Sequence, residues 1–388
     1  MCARPRAVPP VCKEVAVAAI ESRRIDWRVW ARRVFGLMGG IVASSAAKAV
    51  DLPDERADMM LHLYDGGGVR ASGPALLVRK NFADRVSVFG SYYVDMVSNA
   101  SIDVVTTASP FKETRNEYGV GADYVVRDSL VSVSTSRSKE PDYLANSASV
   151  DVTQDTFGGM TTVTMGFTRG WDKVGKHDVS DYIDSATHWR YRLGVTQILT
   201  PRLIGSINTE AVADDGYLGS PYRAARVFGA FVPERYPRTR SSRAIEFRLV
   251  GDLGNHDAVH GSYRYFWDTW EIRAHTLEAG YSRHFGEQWL GDAYGRFYKQ
   301  NAASFYSDNA VTELTYISRN RQLSDFNSYG VGAKLEYLAK SVPGKYTLKL
   351  NGAVEYLRFD YKNFTDLRSG SPYAFNAYIV QMFATLNY

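Results

Sequence analysis

The groups in this 388-residue chain that could do chemistry are its histidines, its paired carboxylates and one run of arginines. The histidines are His62, His177, His188, His256, His260, His275 and His284. A hydrolase would need one of them beside a serine nucleophile or a carboxylate, and none sits in such a motif. His256-Asp257 with His260 is the tightest grouping, and Asp214-Asp215 is an acidic pair of the sort a barrel protease could use. Both read equally well as solvated turn residues. Catalysis is therefore not the expected function, no spacing suggests a metal, and no cofactor is expected. The arginines say more. Arg223, Arg226, Arg235, Arg238, Arg240 and Arg243 crowd loop 214–240 and the strand entry after it, with Asp214, Asp215 and Glu234 as the acidic residues there. Planar guanidinium donors on a long loop suit an inward-folded constriction for anions. They suit equally contact with lipopolysaccharide phosphates, or a solvated surface loop.

The elements that would position these groups are strands. From Tyr378 onward, Tyr378, Val380, Met382, Ala384, Leu386 and Tyr388 fall on one face, and Ile379, Gln381, Phe383, Thr385 and Asn387 on the other. That is the period of two of a β-strand. An apolar strand face closing on an aromatic residue is the insertion signal an outer-membrane β-barrel presents to the barrel-assembly machinery. The apolar face would meet lipid and the polar face would line a lumen. Similar alternation recurs through Val86–Met96, Tyr118–Tyr124, Trp189–Val195, Ile245–Leu249, Tyr329–Tyr337 and Tyr346–Tyr356. No sustained helical periodicity competes with it after residue 50. The polar faces carry Arg190, Arg192, Glu246, Arg248, Arg264, Glu278, Arg296, Lys334, Glu336, Lys349 and Glu355, together with Asp95 and Asp123. A basic residue at the bilayer midplane costs about 2–4 kcal/mol on a lipid-facing wall, so these charges belong inside. There they form either a field across a pore or a salt-bridge network that fills and stiffens the interior. Glycines at Gly66–Gly68, Gly119-x-Gly121 and Gly330-x-Gly332 follow no phosphate-loop pattern. On a strand they ease curvature or leave room for a large neighbour.

Connections sort by length. Short turns are expected near Phe82–Asp84, Arg127–Asp128, Phe157–Gly159, Thr200–Pro201, Asp252–Asp257, Gly286–Glu287 and Lys340–Gly344. Longer segments lie between them at 98–114, 138–145, 171–186, 214–240, 302–322 and 359–373, with a short link near Asp268–Glu271. Short turns on one rim and long loops on the other mark an outer-membrane barrel. Fourteen strands follow residue 84, and two more at 58–65 and 74–81 would flank Asp65-Gly66-Gly67-Gly68. The expectation is a single antiparallel transmembrane β-barrel of 14–16 strands, 16 favoured, over residues 50–388. Mean hydropathy is −0.28, and no run of about 18 apolar residues offers a membrane helix after the leader.

Residues 1–49 read as a leader. Arg32-Arg33, the apolar run Val34–Ala43 and Ala47-Lys48-Ala49 make a secretory signal with cleavage before Val50, and the long stretch ahead of the arginine pair suggests an over-extended start. Nine of the 46 Lys and Arg and three of the 42 Asp and Glu precede residue 50, which leaves 37 basic against 39 acidic residues, a net charge of −2. The basic balance belongs to the leader, so no nucleic-acid partner is implied. Cys2 and Cys12 also lie there, which leaves the rest without a thiol or disulfide.

From Leu52 to the end the chain resembles the DUF3570 family of Gram-negative proteins. The resemblance rests on Tyr64-Asp65-Gly66-Gly67-Gly68, on Ser91-Tyr92-Tyr93-Val94-Asp95-Met96-Val97-Ser98, and on Ala100–Pro110. It continues through Tyr236-Pro237-Arg238-Thr239-Arg240, Tyr263-Arg264-Tyr265-Phe266-Trp267-Asp268-Thr269-Trp270 and Phe305-Tyr306-Ser307-Asp308. It implies an outer-membrane barrel and carries over no catalytic residue. Three functions stay open: a porin-like passive channel for small polar or charged solutes, a closed barrel whose outer loops bind a ligand or partner, and a barrel hydrolase. Outer-membrane lipid and lipopolysaccharide are the expected surroundings. Oligomeric state is not legible.

Overall fold

The computed structural model describes residues 50–99, 111–176, 179 and 181–388. The leader, both cysteines, His177 and most of segment 98–114 lie outside the described residues. Eighteen strands follow in order: β1 (Arg56–Gly66), β2 (Val69–Phe82), β3 (Val86–Asn99), β4 (Phe111–Val126), β5 (Ser129–Lys139), β6 (Tyr143–Thr156), β7 (Thr161–Val174), β8 (Asp184–Thr200), β9 (Leu203–Gly216), β10 (Ala224–Val227), β11 (Ala230–Pro233), β12 (Thr239–Gly254), β13 (Asp257–Asp268), β14 (Arg273–Phe285), β15 (Trp289–Gln300), β16 (Phe326–Val342), β17 (Tyr346–Asp366) and β18 (Ser371–Asn387). Sixteen of them close one antiparallel barrel in chain order, with β9 against β12 and β18 against β1. β10 and β11 form a separate hairpin. The favoured count of sixteen is therefore the observed one.

Closure leaves no strand edge unpaired, so every ladder hydrogen bond is made within the wall. The alternation then decides what faces where. Leu61 pairs with Met382 and Leu63 with Val380 across the closing seam, and all but Val380 are exposed on the outer surface. Val120, Leu193, Leu249, Leu277 and Val331 are likewise exposed. Apolar side chains outside and polar ones inside invert the pattern of a water-soluble protein. The expected turns all appear. Gly67 and Gly68 carry φ of 59° and 78°, a conformation that costs glycine little because it lacks a Cβ.

Two expected long loops are absent. Residues 138–145 form a tight turn from Glu140 to Asp142 between β5 and β6. Residues 359–373 are mostly strand, because β17 runs on to Asp366 and pairs with Ser371 at the start of β18. The extension holds because Tyr361, Phe364 and Tyr373 pack with Phe326 into a buried aromatic cluster, which ties this segment down instead of leaving it to water.

Candidate functional site

The lumen wall carries the predicted charges where alternation places them. Arg190, Arg192, Glu246, Arg248, Arg264, Glu278, Arg296, Lys334, Glu336, Lys349 and Glu355 all lie opposite in parity to the exposed apolar residues of their strands. Many pair along the wall instead of across the bore. Arg192 on β8 reaches Asp151 on β6 at 2.6 Å, passing over Gly166 of the intervening β7. A Cβ at Gly166 would sit 2.2 Å from the Asp151 carboxylate and 2.8 Å from Arg192 Nε. Arg296 on β15 reaches Glu355 on β17 over Gly330 of β16, and the Tyr294 ring lies over Gly332. His62 on β1 contacts Asp95 on β3 at 3.3 Å beside the stacked ring of Tyr93. Asp123 receives Arg79 and the Ser132 hydroxyl, and Lys349 meets Glu336 at 2.6 Å. The lumen glycines thus make room for large neighbours, as expected of Gly121, Gly330 and Gly332.

Exposure within these pairs differs between the two sides of the barrel. Arg296 is 23% exposed and its partner Glu355 9%, and Arg264 is likewise the more open partner of Glu210. Opposite them the order reverses: Asp151 is 30% exposed and Arg192 18%, with Glu117 more open than Arg115. Arg248 and Lys334 are exposed inward without a carboxylate partner among the described residues, Lys334 lying 4.8 Å over the Tyr294 ring. The acidic side also bears a hydroxyl ladder: Ser136–Ser147 at 2.9 Å, Ser149–Thr168 at 2.8 Å and Thr153–Thr164 at 3.2 Å. Inward-facing Thr196, Asn208, Arg248 and Lys334 are all exposed towards the rim of short turns.

The rim of long connections is covered. Hairpin β10–β11 meets segment 301–325 at Val227–Ala310, and the chain just after it at Arg235–Ile317, and Ala225 and Ile317 are fully buried between them. Tyr236, Trp270 and Phe305 meet edge to face at 5.0–5.6 Å. Burial pushes the Tyr236 phenol well above its ordinary value. It therefore stays protonated, within hydrogen-bond distance of Ser318 and Asn320. Arg319 lies 4.3 Å over the Phe364 ring and donates to the Thr365 carbonyl at 2.6 Å. Arg321 lies 5.1 Å over Phe375 on the inward face of β18. On the far side, Tyr222 donates to Asp142 at the β5–β6 turn. This canopy therefore spans the mouth.

The six predicted constriction arginines knit that canopy or leave it. Arg238 forks onto Asp184 at 2.7 and 2.8 Å, and its hydrogen bonds hold the Asp184 carboxyl below the usual range against a smaller opposing effect of burial. Arg240 donates to Asp268 at 2.7 Å and stacks 4.5 Å over Trp270. Arg235 donates to the Leu314 carbonyl at 2.6 Å, Arg226 to the Gly229 carbonyl at 3.4 Å. The Arg223 carbonyl accepts from Glu234 N–H at 3.3 Å. Arg243 is a correction: it shares parity with Phe247 and Leu249 and is exposed on the outer wall, so it cannot line a constriction. Arg319, Asn320 and Arg321 were missed, although two arginines within a long segment and the alternating aromatics of 359–375 were visible signals. Glu113, Glu140 and Asp142 also converge near the mouth, with oxygens within 4.8 Å of one another. His188 has Nδ1 on Asp214 at 2.6 Å and Nε2 on Asp172 at 3.1 Å. With both nitrogens committed, it offers no general base, and Asp214 is held in a structural clamp.

A family model described as "Protein of unknown function (DUF3570)" matches residues 168–370, more than half of the chain. The chain belongs to the DUF3570 family. The blocks at Tyr64–Gly68, Ser91–Ser98 and Ala100–Pro110 precede that stretch. No curated protein sequence matches the chain. Among solved structures, the DUF3570 barrel is similar to a bacterial polysaccharide outer membrane secretin, with a TM-score of 0.51, 8% identity, and coverage of 87% of this chain and 100% of that one. It is also similar to the siderophore receptor PirA from Pseudomonas aeruginosa (TM-score 0.42, 10% identity, 87% and 81% covered). A third is OccK2 (OpdF) from Pseudomonas aeruginosa in complex with glucuronate (TM-score 0.43, 10% identity, 86% and 99% covered). What is shared with the secretin, at 8% identity, is the outer-membrane β-barrel fold alone.

Proposed function

We propose that this DUF3570 member resides in the outer membrane as a porin-like passive channel for small polar or charged solutes, narrowed at one rim by its canopy. The rim of short turns would face the periplasm, and the canopy the exterior. The outward face of β18, from Tyr378 through Leu386, would serve as the signal read by the assembly machinery. The observation that carries the channel reading is the exposure of Thr196, Asn208, Arg248 and Lys334, which face the axis and are wet. Side chains that filled the interior would bury them. Ion pairs that lie flat over glycines stiffen the wall and still leave the bore open, so both readings of the lumen charges hold together. Sixteen strands suffice for an aqueous channel.

A second reading, a closed barrel whose outer loops bind a ligand, is favoured by the packed core of the canopy around Ile317. Planar-bilayer recordings separate the two. Stepwise conductance is expected from the intact protein, and larger steps from Phe364→Ala, which removes the ring beneath Arg319. Folded protein that conducts in neither form would exclude a channel and leave the binding barrel.

A further inference from the structure

The outer wall carries a feature that the channel does not use. Arg137, Arg169, Lys173, Arg243, Arg273 and Lys299 all point outward near the canopy rim, on β5, β7, β12, β14 and β15. All six are exposed, and none has a carboxylate partner among the described residues. Four of them stand just past the last exposed large apolar position of their strands: Arg137 follows Val133, Lys173 follows Trp171, and Arg243 and Arg273 lie beyond Phe247 and Leu277, whereas Arg169 stands between Phe167 and Trp171. The opposite rim differs. There Lys80 meets Glu55 at 2.7 Å, Arg283 meets Asp257 at 3.5 Å and Arg202 meets Asp252 at 3.9 Å, while Lys340 lies 5.8 Å over the Tyr346 ring. Six outward cations without an acid thus gather at the canopy edge of the apolar band, beside the paired Arg70 with Asp65 and Arg358 with Asp360.

We infer that this collar binds the phosphate groups of outer-leaflet lipopolysaccharide. Unpaired cations just past the apolar band sit at the depth of lipid headgroups. Arginine presents planar paired donors that match phosphate oxygens, and four of the six are arginine. Divalent cations normally screen neighbouring lipid phosphates from one another, and a fixed ring of guanidinium groups would do the same at the protein boundary. The phosphate contact considered for loop 214–240 belongs instead to Arg243 and its neighbours on the wall, since Arg238 and Arg240 are already held by Asp184 and Asp268. The inference rests on the outer-membrane reading above.

The test uses the folded full chain and rough-type lipopolysaccharide micelles. Arg137→Gln, Arg169→Gln, Arg243→Gln and Arg273→Gln are combined, with Arg202→Gln/Arg283→Gln as the control. Binding by the fourfold variant should weaken at least about tenfold, given the worth of each basic residue near an anionic surface, and the control should bind as the parent does. Dephosphorylated lipopolysaccharide should bind the unaltered protein equally poorly, a measurement that needs no variant to fold. Unchanged binding in either comparison overturns the inference. Phosphatidylglycerol vesicles competing as well as lipopolysaccharide would also overturn it, by assigning the collar to anionic lipid in general. Cell fractionation keeps the two readings apart. Recovery outside the outer membrane removes both, whereas outer-membrane recovery without phosphate-dependent binding removes this one alone.

Discussion

Arg238 and Asp184 show how single groups hold the canopy to the barrel. The guanidinium depresses the Asp184 carboxyl, so the tie is fully present above the unfolded value, about 4. It is lost as pH falls through the lower folded value. Limited proteolysis of segment 217–238 should therefore be constant from neutral pH down to about 5 and accelerate only below about 4. Asp184→Asn should remove that acid step. Acceleration centred near pH 6 to 7 would instead point to a histidine. At the same level of detail Arg243 was legible from sequence, since it shares the parity of Ile245, Phe247 and Leu249. The pairing of Arg238 with Asp184 was not, because 54 positions separate them and no local pattern joins them.

Strands β7 and β16 are shaped by what crosses them. A Cβ at Gly332 would lie 2.4 Å from the Tyr294 ring, whereas one at Gly352, on the outward face of β17, would meet nothing within 4 Å. Gly332→Ala should therefore destabilise the barrel by about 1–3 kcal/mol, the usual cost of overpacking, with Gly352→Ala near neutral. Urea unfolding in lipid vesicles measures both, and equal losses would show that strand glycines here matter for backbone curvature alone. The strands and their inward faces were readable because a period of two survives in sequence. The end of β17 was not, since Tyr361 and Tyr373 become strand residues only once Phe326 and Phe364 pack with them.

Across the barrel, the more open partner is the cation in Arg264–Glu210 and Arg296–Glu355 on the β13–β17 side, and the carboxylate in Arg115–Glu117 and Arg192–Asp151 on the β4–β8 side. In the proposed channel such an arrangement would turn dipolar solutes across the bore. In proteoliposome swelling, β-alanine should enter at least about twofold faster relative to its uncharged isomer lactamide than it does through Arg248→Gln/Lys334→Gln, the scale expected of potentials of several kT. An unchanged ratio would leave the pore sorting by size alone. Sequence by itself determined the antiparallel wall and its two faces and favoured sixteen strands over fourteen, because these follow from local alternation and turn spacing; the family followed from the residue blocks it shares. Only the tertiary structure decided that segment 301–325 folds onto the mouth and that most of the clustered arginines knit a canopy. It also decided that lumen charges pair over glycines and that Arg243 joins an outer collar. Those outcomes depend on contacts between segments far apart in the chain, such as Arg319 with Phe364 and Tyr222 with Asp142, and such contacts leave no periodic trace in the order of residues.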